Sequence, residues 1–434
     1  MMPRSLLLIS AVCVMALGAA GATSTAWELS GFNELLKGHL TGLSLDANGR
    51  LGPGPSVRWA ANLDQPALWS IAAAPDGSVY AATGHSGKVF RITPEGKVSL
   101  VWSAGQSEVF ALCLDARGIL YAGTSPNGGL YRLENGQAKE VWHSSAKYIW
   151  SLLPAPDGSL FLGTGDGGRI FRYDSKSGAT VYYETNQANV TALALSSTGH
   201  LYAGTDPNGL IYDIASAGQA RVLYDSSLPE IRSILTAPDG TLYIAAMGGA
   251  VASRSAPGAA PQPTSSSPAV SVTPTVITVT ATDADAGDQA AKAAEQTKAP
   301  SSGTTTGATS TTGVTELSGV EKSAIYRIRQ NGSVETLRSS KDDNVYSLLL
   351  DGDAVLFSTD DHGRIYRIAD NRTSLLAEPG SGETTQLLKT GNELYAAVSN
   401  SARLLRFAEA SSGPAIYESQ VHDASSVARW GHLQ

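Results

Sequence analysis

Two histidines and several acids stand in short glycine-rich stretches of this 434-residue chain, and they are the side chains whose types could do chemistry. His85 lies in "TGHSG", Asp166 in "TGDGG", Asp206 in "TDPNG", and Asp360, Asp361 and His362 in "TDDHG". Imidazole and carboxylate groups held together can bind a divalent metal or share a proton, and runs of glycine can turn backbone N–H groups toward a phosphate. The phosphate reading fails on the element after each loop. A phosphate cradle opens a helix, whereas "RIFRY" after "TGDGG" is a β-type stretch. Glycine and asparagine here, Asn127 and Asn208 included, more simply supply left-handed backbone. An EF-hand calcium loop would need twelve-residue ligand spacing and a terminal Glu, and both are missing. No nucleophile, general base and orienting group stand together at positions that break the pattern, so no catalytic residue is assigned.

The elements that carry these loops repeat. "LWSIAAAPDGSVYAATGHSGKVFRI" aligns with "VFALCLDARGILYAGTSPNGGLYRL", "IWSLLPAPDGSLFLGTGDGGRIFRY", "VTALALSSTGHLYAGTDPNGLIYDI" and "IRSILTAPDGTLYIAAMG". The turn glycines Gly77, Gly118, Gly158, Gly199 and Gly240 are spaced by 41, 40, 41 and 41 residues. After an interruption the pattern resumes at "SAIYRI" and runs through two more copies, giving seven with one split. Each copy reads as a strand, an Asp-Gly-type hairpin turn, a second strand ending near Thr, a glycine-rich loop, and two further strands. Four antiparallel strands per 40 or so residues predict an all-β fold, a β-propeller of seven four-stranded blades. Eight blades is the alternative, using "LTGLSLDANGRLG" at 40–52 and part of "SVARWGHLQ". Residues 56–63, "SVRWAANL", read as a fourth strand placed ahead of blade 1, able to close the ring by completing the last blade.

Composition sets limits around this repeat. The net charge of −8 provides no basic field for nucleic acid or anionic lipid, so both partner classes are excluded. Arg4 followed by an apolar run from Leu6 to about Ala20 and by Ala20-Gly21-Ala22 reads as a signal peptide over 1–22. An uncleaved anchor is the alternative. The protein is therefore expected to be exported, to the periplasm, cell surface or medium, with no membrane-spanning segment after cleavage. Cys13 leaves with the leader, so Cys113 has no partner for a disulfide and reads as a small buried hydrophobe. Residues 23–55 form a lead-in, 56–420 the propeller, and 421–434 a tail or the start of a missing domain. Between the second and third strands of blade 5, residues 248–321 are rich in Pro, Ser, Thr, Ala and Gly, the composition of a disordered insertion.

Strand alternation places the start of each first strand and the end of each second strand on one face of the disc. Trp69, Phe110, Trp150, Thr191, Arg232, Tyr346 and Thr385 form the first set. His85, Asn127, Asp166, Asp206, Asn208, Asp360, Asp361 and His362 form the second. Together they are expected to ring the mouth of the central channel and to form the ligand-binding face. Recurrence of Trp69, Phe110 and Trp150 at one repeat position also fits packing between blades. Arg232 and Tyr346 differ from their repeat mates, which favours them as recognition residues. Arg91, Arg132, Arg172, Arg327, Arg367 and Arg406, with Asp213 standing in at blade 4, read instead as one shared structural contact.

"APDGSVYAATGHSGKVFRI", "APDGSLFLGTGDGGRIFRY" and "SSTGHLYAGTDPNGLIYDI" resemble exported bacterial propellers of the NHL, SMP-30/gluconolactonase-like and two-component-regulator sensor group, over roughly residues 65–420. The resemblance implies the fold more than an activity. The metal ligands of gluconolactonase-like enzymes have no residue-by-residue counterpart here. Virginiamycin-lyase-like propellers use histidine chemistry, and neither His85 nor His362 matches closely enough to transfer it. The expectation is a non-enzymatic module binding a protein, glycan or small ligand, with no cofactor. A lactonase or lyase with a divalent metal in the channel is one alternative, and a structural module of a larger envelope protein is another.

Overall fold

A computed structural model describes residues 27–134, 136–248, 321–380, 382–410 and 413–423, all within one compact unit. The expected leader, the stretch 249–320 of the expected insertion, and residues 424–434 lie outside the described range. The hairpin turns form as their chemistry requires. Asp76 accepts a hydrogen bond from the Ser78 N–H at 2.9 Å, and Asp157 one from the Ser159 N–H at 3.0 Å, while Gly77 and Gly158 take φ of 81° and 85°. In blade 4 Thr198 stands in the place of the acid, and Ser196 two residues earlier accepts from the His200 N–H at 2.9 Å.

Seven four-stranded antiparallel blades result, blades 3 and 4 being joined at the single pair Gly165–Asn189. Their inner strands are Ala67–Ala73, Glu108–Leu114, Tyr148–Pro154, Asn189–Leu195, Glu230–Thr236, Val345–Asp351 and Thr384–Thr390. Each packs on the inner strand of the next blade, and the seventh packs on the first, so the ring is closed. The fourth strand of blade 7 comes from the other end of the chain: Pro55–Asn62 pairs antiparallel with Arg403–Ala410. In blade 5, Leu242–Met247 pairs residue for residue with Ser323–Ile328, so the ladder continues up to both edges of the interruption.

The segment at 40–52 is not an eighth blade. Leu43–Leu45 and Leu51–Pro53 form a small hairpin added to the outer edge of blade 6, with Leu45 opposite Leu375. Before it, His39–Thr41 pairs with Ile416–Glu418.

No single core exists; seven apolar clusters occupy the seven seams between blades. Along successive seams an outer-strand aromatic packs on a third-strand aromatic of the next blade. Trp102 meets Tyr131 at 4.6 Å between centroids, Trp142 meets Phe171 at 4.7 Å, Tyr183 meets Tyr212 at 5.6 Å, and Tyr224 meets Tyr326 at 5.2 Å. Between blades 5 and 6 an arginine takes this place. The Arg338 guanidinium lies 5.4 Å from the Tyr366 ring centroid and is anchored by Asp343 at 2.8 Å.

The glycine-rich loops are held by the Thr that ends the second strand. Thr124 Oγ1 donates to the Gly129 carbonyl at 3.1 Å and accepts from the Gly129 N–H at 3.2 Å; Thr83 and Thr205 span their loops in the same way, and Thr164 and Thr359 do so by the donated bond. Left-handed backbone falls on His85, Asp166 and His362 and on the glycines, but not on Asn127 or Asn208, contrary to the expectation for the asparagines. In those two loops Ser125-Pro126 and Asp206-Pro207 are cis, and the left-handed turn falls on the following Gly128 and Gly209.

The recurring arginines do not share one contact. Arg91 and Arg172 pair with the turn acids Asp76 and Asp157, whereas Arg132 takes Glu134, Arg327 takes Glu335 and Arg406 takes Glu393. In blade 4 the charges are exchanged: Asp213 is paired with His200 at 2.7 Å and Arg221 at 2.9 Å. A flexible cation on the third strand takes whichever carboxylate its own blade offers.

The close approach at Gly128 gives a direct test. A Cβ there would stand 2.0 Å from the Ala146 carbonyl oxygen at φ 32°, whereas at Gly158 no atom lies within 4 Å. Gly158→Ala should cost about 1–2 kcal/mol, the left-handed backbone penalty alone. Gly128→Ala should cost clearly more in urea or thermal unfolding, and equal losses would show that the loop yields freely.

Candidate functional site

Every inner strand carries a β-bulge at the same place. The ladder skips one residue between Leu68 and Ser70, Val109 and Ala111, Ile149 and Ser151, Val190 and Ala192, Ile231 and Ser233, Val345 and Ser347, and Thr384 and Gln386. The skipped residues are Trp69, Phe110, Trp150, Thr191, Arg232, Tyr346 and Thr385, the first set from the sequence. A bulge re-aims a side chain and leaves two neighbours on one side of the strand. All seven line a cavity of about 270 Å³ on the ring axis, together with the residue after each except Thr191. Alternation alone placed them on a face; the bulge turns them into the channel.

The seven positions are not equivalent. Blades 1 to 3 present a continuous aromatic arc, with Trp69 and Phe110 5.7 Å apart, Phe110 and Trp150 4.6 Å apart, and Tyr148 stacked on Trp150 at 4.9 Å. Both indole N–H groups are already used. Trp69 Nε1 donates to Glu108 Oε2 at 2.7 Å and Trp150 Nε1 to Asn189 Oδ1 at 2.9 Å. Thr385 Oγ1 donates to the Leu68 carbonyl at 2.7 Å and Thr191 Oγ1 to the Ile231 carbonyl, so both hydroxyls tie their blade to the next. Arg232 faces Tyr346, its guanidinium 5.9 Å from the ring centroid, and its nearest carboxylate, Glu230, is 3.7 Å away.

The residue after the bulge does a different job. Ser70 accepts from the Leu112 N–H at 3.2 Å, Ser233 from Leu348 at 3.3 Å, Ser347 from Leu387 at 3.1 Å and Gln386 from Ile71 at 2.7 Å, each across a seam. Ser151 holds the corresponding place in blade 3, and its buried hydroxyl has no partner among the described residues.

The second set does not line the cavity. His85 lies in a rim loop with its Nδ1 3.3 Å from Glu108 Oε1, Asp166 pairs with Lys147, and Asp206 accepts from Asn189 Nδ2 at 2.9 Å. Asp360 caps Asn344, accepting from its N–H and Nδ2 at 2.8 and 2.7 Å. Asn127 donates its N–H to Gln106 Oε1 at 3.0 Å, and Asn208 its Nδ2 to Gln187 Oε1 at 2.7 Å. His362 sits with Asp361 at 2.6 Å and edge-on to His39 at 4.7 Å, so it and His85 belong to separate clusters. Among the described residues no group of three His, Cys, Asp or Glu side chains is arranged to hold a metal ion. Cys113 is buried between blades 2 and 3, and burial pushes its thiol up to about 12. A larger cavity of about 530 Å³ lies among the N-terminal strands, blade 6 and the Ile416–Glu418 strand. Its buried acid, Glu378, is already bound to Arg364 and His39.

Sequence reasoning missed the layer that orients this site. Glu108, Asn189, Glu230, Asn344 and Glu383 all stand two residues before the bulge, in "SEVF", "ANVT", "PEIR", "DNVY" and "GETT". A polar residue recurring there in five of seven repeats was the available signal. Burial raises the Glu230 carboxyl above its usual value, outweighing Arg232 beyond hydrogen-bonding distance. Burial likewise raises the Tyr346 phenol, helped by Glu383 and Asp360.

No family model matches the chain, and the comparison with curated proteins gives no match. Solved propellers do match over most of the chain. Virginiamycin B lyase from Staphylococcus aureus superposes with a TM-score of 0.59 at 13% identity, covering 81% of this chain and 99% of that one. The extracellular domain of BT4673 from B. thetaiotaomicron gives 0.53 at 11%, covering 81% of this chain and 39% of that one. The Cps50 (Swd1) beta-propeller domain of Myceliophteria thermophila gives 0.50 at 10%, covering 81% and 99%. At such identities the likeness establishes the fold alone, and that fold is a β-propeller.

The raised Glu230 carboxyl has a sign that can be measured. The folded protein holds this proton more tightly than the unfolded chain, so the group's stabilising effect is complete below the unfolded pKa and is lost as pH rises through the folded one. Glu230→Gln should therefore gain stability relative to the parent between about pH 5 and 8, with the difference shrinking toward pH 4. Thermal melts across that range check it, and a pH-independent difference would show that the Glu230 carboxyl has the same pKa in the folded and unfolded chain.

Proposed function

We propose that this protein is an exported, non-catalytic recognition module that takes its ligand at the channel mouth, between the aromatic arc of blades 1 to 3 and Arg232. One observation carries the reading: a bulge repeated in all seven inner strands aims seven side chains into one cavity, yet those side chains differ from blade to blade. A purely structural channel would favour one packing residue at each equivalent position. Here Thr191 and Thr385 are committed to seams, while Phe110 and Arg232 present side chains to the cavity with no hydrogen bond across a seam.

The chemistry of the lining favours binding over reaction. Aromatic surface and one guanidinium provide apolar contact and hydrogen-bond donors. The thiol of Cys113 lies away from the cavity and is protonated at neutral pH. Export rests on the N-terminal pattern of Arg4 and the apolar run after it. No helix among the described residues is long and apolar enough to cross a membrane.

Saturation-transfer NMR with a mixed library of sugars, amino acids and short peptides tests this directly. The parent protein should give hits that a Phe110→Ala/Arg232→Ala double variant, folded by its melting curve, loses by at least tenfold. Hits that survive unchanged in the double variant would move the site elsewhere, and no hits at all would remove the recognition reading for these ligand classes.

A further inference from the structure

Resting on that reading, the geometry points to a neutral sugar as the group recognised at the channel mouth. Both indole N–H groups are held by Glu108 and Asn189, so the two indoles and Phe110 offer a ligand ring surface and no donors. The apolar C–H face of a pyranose is the kind of surface that packs against such rings. Across the cavity, Arg232 makes no hydrogen bond to the described residues, its nearest carboxylate being 3.7 Å away, and it presents unspent donors. Ser151 lines the arc side of the cavity, but its hydroxyl is buried toward Gly163 and adds no donor for a ligand, so Arg232 is the polar anchor.

Charge separates the ligand classes. Glu230 stands 3.7 Å from Arg232, behind the cavity lining, and offsets part of its charge. An anion drawn to Arg232 therefore meets a carboxylate beside it, and an organic cation meets the guanidinium first. A neutral polyhydroxyl ligand meets neither penalty, because its hydroxyls can accept from the guanidinium without bringing a charge. The cavity, at about 270 Å³, suits the end of a glycan better than a long internal stretch.

An array of neutral, acidic and amine-bearing oligosaccharides, probed with the full chain and followed by calorimetric titration of the strongest binders, tests the assignment. Neutral glycans should dominate, with affinity falling at least tenfold in Phe110→Ala and in Arg232→Met, and with little dependence on salt between 50 and 500 mM, screening limits at which the Debye length falls from roughly 14 to 4 Å. Uronic-acid or amino-sugar glycans binding instead, with steep salt dependence and the same sensitivity to Phe110→Ala, would overturn the neutral-sugar assignment while leaving the channel as the recognition site. Binding of neutral glycans that is indifferent to both variants would overturn the assignment as well. So would the absence of glycan binding in an array where the library experiment finds other channel ligands.

Discussion

Closure of the ring is the constraint on which the rest depends. The seventh sheet is complete only when Pro55–Asn62, from the beginning of the propeller, pairs with Arg403–Ala410 near its end. Its seam with blade 1 carries hydrogen bonds from Thr385 to the Leu68 carbonyl, from the Ile71 N–H to Gln386 and from Arg406 to the Pro94 carbonyl. The strand Pro55–Asn62 runs on into Ala67–Ala73 of blade 1, so the one break in covalent continuity lies inside blade 7, where hydrogen bonds alone join the two ends of the ring. Because the apolar material lies in seams, an open ring would expose two faces at once. The channel has the same dependence: seven re-aimed side chains converge on one axis only when all seven inner strands are in place.

Within that ring, one backbone device serves two purposes. The bulge puts one residue into the channel and leaves the next facing the seam. Ser70, Ser233, Ser347 and Gln386 use the second position to accept a neighbouring backbone N–H, which gives adjacent blades a polar register in addition to apolar contact. The first position is then free to vary, except where Thr191 and Thr385 reach the seam themselves. The cavity has an aromatic side and a charged side because these choices are grouped along the ring.

The repeat period made the blades legible, since a strand, an Asp-Gly turn and a second strand are local signals with local causes. Closure was partly legible, as a spare fourth strand at 56–63. The placement of residues 40–52 was not, because strands of three residues have no periodicity and Leu45 finds Leu375 only through the tertiary structure. The site was half legible. Alternation identified Trp69, Phe110, Trp150, Arg232 and Tyr346, but gave equal standing to His85, Asp166, Asp206, Asp360 and His362, which lie outside the cavity lining. One skipped residue shifts which side chains face the axis, and a bulge leaves no mark in a pattern of apolar and polar residues. Glu108 and Asn189 were invisible for a related reason: each orients an indole of the preceding blade, 39 residues earlier in the chain.

The glycine-rich loops show how recurrence can imitate chemistry. Their threonines close the loop on itself, and their glycines let the next connection pass against the backbone, as at Gly128 beneath the Ala146 carbonyl. Such a job is identical in every blade, so the residues that perform it recur. A ligand on the ring axis sees all blades at once and can tell them apart only where they differ. Recognition must therefore be written at positions that share a backbone geometry and disagree in side chain, and in this ring the positions meeting both conditions are those of the bulge.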